Sequence, residues 1–134
     1  MNLFKDKITI LNKYTIIGEN FYLKTVLNGV LFDNCKRTNV KDYGTDNADT
    51  MMCYIPNKNY GKQYIDSIKF SSLTLDEKEK HWTLAQSDII VLGDVDDTDI
   101  SISTLRKKYQ NVMVINSVDY LLHGGLSHWE VGGS

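Results

Sequence analysis

The most regular pattern of apolar and polar positions in this chain runs from His81 to Val131. The runs Ile89-Ile90-Val91-Leu92 and Val112-Met113-Val114-Ile115 are rich in β-branched residues and bounded by turn formers, which predicts two strands. Between them, Ser101 is placed to cap a helix over about 101–110, with Ile102, Leu105 and Tyr109 on one face. Arg106, Lys107 and Lys108 fall near its end, where cations suit the helix dipole. HWTL at 81–84 leads through a tight turn, Ala85–Asp88, into IIVLGDV, so His81–Val95 reads as a β-hairpin. His-Trp recurs at 128–129, and each tryptophan is expected to anchor the core at a strand start. After Ser117, LLHGGLSHWEV reads as a glycine-rich loop and a short closing strand, with the final Gly-Gly-Ser frayed.

The first half of the chain is also β-prone. Residues 8–14, ITILNKY, form a first strand, and Gly18-Glu19-Asn20 signals a turn. Phe21 to Phe32 is a long strand-like run, and Gly29 inside it predicts a bulge or sharp bend. Cys35 and Cys53 are symmetric about Gly44, as are Phe32 and Pro56. This predicts one long hairpin over about 25–56 with its tip near 41–49 and the two cysteines facing each other as reduced thiols. Val30, Phe32, Met52 and Tyr54 share a face in that register. The outer half has little apolar surface to bury, and such an arm is mobile or made to touch something else. Residues 57–62 form a loop, 64–75 a strand or a helical turn started by Asp66, and LDEKEK a solvated helical turn.

Length adds that 134 residues make one domain, 1–134, by the usual prior of roughly 100–200 residues per domain. That is enough chain to bury a core without disulfide or metal. The net charge of −2 points to no general nucleic-acid binding. The start lacks the apolar core of a signal peptide, and no stretch approaches the roughly 20 apolar residues of a membrane span. Folding in a cytoplasm, with no membrane association, is therefore expected.

Candidate chemistry is sparse. Asp94, Asp96, Asp97 and Asp99 resemble half of a calcium loop, but Asp99 and Leu105 stand where that loop needs glycine and glutamate. His81, His123 and His128 have no zinc-like spacing, and neither Cys-x-x-Cys, G-x-S-x-G nor a phosphate loop occurs. No catalytic residue, metal or cofactor is expected, and the chain reads as a scaffold, not an enzyme. The candidate contact residues lie on the arm instead. Lys36, Arg37 and Lys41 make one side basic, and Asp42, Asp46 and Asp49 the other side acidic, so the arm could pair with a neighbouring copy. Tyr43 at the tip and Tyr60 in the next loop are plausible anchors. His128, Trp129 and Glu130 form a second, C-terminal contact segment.

The motifs W-T-L at 82–84, D-I-I-V-x-G at 88–93, L-x-x-K-Y at 105–109, VMVINSVDY and HWEVGG at 128–133 resemble a small uncharacterised family encoded in phages and prophages of Gram-positive bacteria, among head and tail morphogenesis genes. The plan also looks like head–tail connectors of the stopper or head-closure type. The resemblance covers 81–133 well, 8–56 loosely and 57–80 poorly, and its motifs are not chemical. It implies a virion protein of the phage neck, assembled in the host cytoplasm. Such a protein forms a homo-oligomeric ring that contacts portal or adaptor and tail proteins and helps retain packaged DNA. The expected fold is mainly β: a small, partly open barrel of six or seven strands, a long projecting hairpin and one packed helix. A tail-completion or terminator ring, and a soluble small-barrel module binding peptide or nucleic acid, are the alternatives.

Overall fold

Strand β1 (Asp6–Ile16) turns back at once into β2 (Glu19–Asn34), and the two pair along the whole of β1. A computed structural model describes residues 3–34, 51–96, 100–123 and 126–134. The β1–β2 turn is Ile17-Gly18, one residue earlier than the turn signal suggested, with Glu19 already in β2. Both turn residues are left-handed, at φ 49° and 77°. That is the backbone of a type I′ hairpin turn, which matches the twist of the strands. A β-branched residue is costly there, and Ile17 is 94% exposed, so no packing offsets the cost. Ile17→Asn is therefore expected to stabilise the fold by about 0.5–1 kcal/mol, checked by urea titration. An unchanged or lower midpoint would refute it.

Further along, Asp6 pairs with Val30 but Lys7 pairs with Asn28. Gly29, at φ 84°, is the extra residue of a bulge, as its place in the apolar run implied. The bend carries β2 away from β1 and onto β3 (Met51–Pro56). Strand β3 pairs with β8 (Leu126–Gly133), β8 with β7 (Val112–His123), and β7 with β6 (Ile89–Leu92). Strand β6 then pairs with β1, so six antiparallel strands close on themselves in the order β1-β2-β3-β8-β7-β6. The mainly-β expectation holds. The β1–β6 ladder, from Ile8↔Leu92 to Leu11↔Ile89, seals the edge that a partly open sheet would leave.

Alternation sorts the side chains into two cores. Ile8, Ile10, Leu27, Val30, Phe32, Cys53, Ile55, Ile90, Met113, Ile115, Trp129 and Val131 fill the interior. Leu11, Ile89, Val91 and Val112 point outward and are covered by Val95 and by Leu105 of α3 (Ile102–Lys108). Strand β1 is thus buried on both faces from Ile8 to Asn12. The helix begins where expected: Ser101 Oγ accepts the Thr104 N–H, and Arg106, Lys107 and Lys108 occupy its last turn.

Four expectations are corrected. First, His81–Val95 is not a hairpin. Strand β5 (His81–Trp82) runs parallel to β4 (Gln63–Tyr64) instead. The Asn12 side chain takes the place of a strand partner, with its amide donating to Thr83 O (2.8 Å) and to Asp88 Oδ2 (2.8 Å). Second, Phe32 lies opposite Cys53, and Asn34 opposite Met51, so the register differs by three residues from the symmetric hairpin. An odd shift exchanges faces. Met51, Cys53 and Ile55 point inward, while Met52 and Tyr54 do not. Third, the final glycines are not frayed. Gly133 pairs with Met51 on one side and Ile115 on the other, and Ser134 exchanges two backbone hydrogen bonds with Val114. The choice left open over 64–75 resolves to the helical turn: Asp66 starts α1 (Ser67–Ser71) by accepting the Ile68 and Lys69 N–H groups. Thr74 likewise caps α2 (Leu75–Lys78) in the charge run. Fourth, Lys78 in that run is buried, not solvated, because its ammonium donates to Ser71 O and Leu73 O. Cys35 and the expected tip, 41–49, lie outside the described residues.

Candidate interaction surface

The two His-Trp pairs, distant in sequence, meet. Strand β5 places Trp82 and β8 places Trp129 with ring centroids 5.3 Å apart, edge to face. Tyr64 packs on both, at 5.1 Å from Trp82 and 4.5 Å from Trp129. Tyr60 stands edge-on to Trp82 at 5.9 Å, and Tyr120 of β7 lies 5.1 Å from Trp129. The tryptophans are only 1% and 4% exposed, so both act as core anchors. Tyr60 donates its hydroxyl proton to Pro56 O at 2.5 Å. Burial, with the Cys53 thiol as a smaller cause, pushes the Tyr60 phenol well above its ordinary range.

A polar groove of about 530 Å³ borders this cluster, lined by Asn57, Lys58, Asn59, Lys62, Trp82 and Trp129 among others. The Lys58 ammonium sits 5.3 Å from the centre of the Tyr60 ring. The Lys62 ammonium donates to Lys24 O (3.2 Å) and Thr25 Oγ1 (3.1 Å). Burial lowers the Lys62 pKa, and Glu79 opposes that shift. The spacing of Lys58 and Lys62 around Tyr60 was visible, but only the parallel β4–β5 pair brings them to the tryptophans.

At the β1–β2 turn the hairpin runs past the core, and Ile16, Ile17 and Phe21 are exposed. Tyr14 stacks on Phe21 at 5.4 Å. A cavity of about 440 Å³ lies between this tip and the helical turns, walled by Tyr14, Ile16, Phe70, Leu73 and Leu75, with Asp88 also lining it. Burial pushes the Asp88 carboxyl above the usual carboxylate range, against the hydrogen bonds it accepts from Lys13 N and Asn12.

The sequence-derived contact residues divide into two groups. Lys36, Arg37, Lys41, Asp42, Tyr43, Asp46 and Asp49 lie outside the described residues. In the C-terminal segment, the Trp129 ring is inside, whereas His128 and Glu130 are partly exposed and joined at 3.0 Å between Nε2 and Oε2. The Cys53 thiol is fully buried, and that burial raises its pKa far above a thiol's ordinary value, so it is held neutral. Among the described residues, no three His, Cys, Asp or Glu side chains come together to hold a metal. No described helix is long and apolar enough to cross a membrane.

Comparison with protein families finds one whose profile spans residues 3–134, described as a family of unknown function, DUF6751. The chain belongs to this family. No curated protein and no solved structure matches it. The match to DUF6751 covers both halves of the chain, including residues 57–80, and carries no activity or partner with it.

Proposed function

We propose that this chain is a structural component of a phage neck, one copy in a head–tail connector ring of the stopper type. The ring joins portal and tail and helps to hold packaged DNA. One observation carries the reading. Asn34 and Met51 are paired neighbours at the end of the β2–β3 ladder, so the two ends of the segment 35–50 lie side by side at one point of the closed barrel. On its other side, β3 is held by β8 along its whole length. That segment carries Lys36, Arg37 and Lys41 with Asp42, Asp46 and Asp49, a composition suited to charged contacts with a neighbouring subunit. Rings need two different patches per copy. The arm supplies one, and the partly exposed His128 and Glu130 supply a candidate for the other.

Replacing 39–49 by a short turn is expected to leave the barrel's melting transition within about 3 °C of the parent's. It is expected to abolish the joining of filled capsids to tails in an infection complemented by the variant. Infectious, DNA-filled particles from that complementation would sink the proposal. Location of the protein in a tail-end ring would select the terminator reading instead.

The groove between Lys58 and Lys62 favours a second reading, a small-barrel module for peptide or nucleic acid. A chain that stays monomeric with portal protein and binds oligonucleotides in a salt-sensitive way would select it.

A further inference from the structure

Among the described residues, strand β7 is guarded along its length on one side only. Strand β8 pairs with it from Ile115 to His123. On the other side, β6 reaches no further than Val112–Val114. The backbone of Ser87 and Asp88 covers Ile115, and the Gln86 amide reaches Asn116 O. From Ser117 to His123, no described residue pairs with that side of the strand. Sheet edges are templates for pairing with another chain, and proteins blunt them with lysine, proline or an inserted charge. Two other edges here are blunted in that way. Lys62 donates to Lys24 O on the outer side of β2, and the Asp88 carboxylate accepts the Lys13 N–H beyond the β1–β6 ladder. The segment SVDYLLH contains neither lysine nor proline. It exposes Tyr120 at 44% and Leu122 at 72%.

The ladder decides which backbone groups face outward. Ser127 O accepts the Asn57 N–H on the β3 side of β8, so His123 and Leu126 are a hydrogen-bonded pair of the β7–β8 ladder. Counting back by twos, Leu121, Asp119 and Ser117 also bond to β8. Val118, Tyr120 and Leu122 therefore present their N–H and C=O groups to the open side.

We propose that this edge binds a second copy of the chain. Two β7 strands pair antiparallel about a two-fold axis, with Tyr120 opposite Tyr120. In that register Val118 lies opposite Leu122, so all three outward residues find partners and one face becomes a continuous apolar row. Asp119 lies opposite Leu121, so no like charges meet. Shifting the centre to Asp119 sets two carboxylates directly against each other, which is unfavourable. Shifting it to Leu121 leaves one outward residue of each copy unpaired. The patch is thus complementary to itself, as a two-fold contact requires. Such a contact cannot close a ring, so it stands or falls apart from the neck reading.

Sedimentation equilibrium of the full chain tests this. The parent is expected to dimerise, and Leu122→Lys to weaken the dimer at least about tenfold with an unchanged melting transition, since Leu122 is exposed. Register is read by disulfide trapping in a Cys35→Ser background. Asp119 and Leu121 would form non-hydrogen-bonded pairs with Cα atoms about 4.5 Å apart, inside the range a disulfide spans. The double variant D119C/L121C should cross-link under mild oxidant, and D119C alone should not. A parent that is monomeric at millimolar concentration overturns the inference, and so does a dimer insensitive to Leu122→Lys or cross-linking by D119C alone.

Discussion

Gly133→Ala is expected to be severely damaging, costing more than about 4 kcal/mol. Gly133 lies between two strands, opposite Met51 and Ile115. A Cβ added there would stand 2.1 Å from Val114 O and 2.6 Å from Met113 Cγ. The first contact is with backbone, so a side-chain rotation cannot relieve it. Peeling the end of β8 away is the only escape. That would break both Val114–Ser134 hydrogen bonds, free Ser134 O from Arg106 Nη2 (2.7 Å) and expose Met113, which is fully buried. Since small domains are stable by roughly 5–15 kcal/mol, that loss is a large fraction of the whole. Thermal melting checks it, with Ser134→Ala as the control, because Ser134 contributes only backbone atoms to these bonds. A Gly133→Ala protein melting within about 2 °C of the parent would show that β8 does not end as described.

The second large effect is expected at Trp82. Trp82→Ala should cost about 3–5 kcal/mol, the usual range for a buried tryptophan. Its ring is 1% exposed and touches Tyr60, Tyr64 and Trp129, so its loss leaves three rings without their common neighbour. Equilibrium unfolding in urea measures the loss. Tyr120→Ala, a 44% exposed ring at the rim of the same cluster, should cost far less. A double-mutant cycle between Trp82 and Trp129 should return a coupling of about 0.5–1.5 kcal/mol beyond area burial. Additive single effects would mean that the two rings do not meet.

Sequence reasoning located most strands correctly, because a buried strand needs apolar residues and those runs are bounded by turn formers. It placed α3 for a similarly local reason: the Ser101 hydroxyl satisfies an N–H group only a few residues away. It found the Gly29 bulge because a residue without Cβ inside an apolar run has few other uses. The hairpin register escaped it. Met51, Met52, Cys53, Tyr54 and Ile55 are apolar in succession, so either set of alternate residues could have faced inward. Symmetry about Gly44 then suggested a pairing three residues away from the real one.

The candidate surfaces divide along the same line. The charges of residues 36–49 are legible in composition alone, whereas neither the lysine groove nor the open edge of β7 is. The groove requires β5 to lie parallel to β4, an arrangement held by the Asn12 side chain across the fold. The open edge requires β6 to be shorter than β7, so that its ladder stops at Val114. By itself, the sequence determined most of the elements: the principal strands, the helix α3, and where its cap and the Gly29 bulge sit. These depend on contacts within a few residues. The tertiary structure alone decided strand partners, register and the close approach at Gly133. Those depend on which distant backbone groups are left to pair once the sheet has closed.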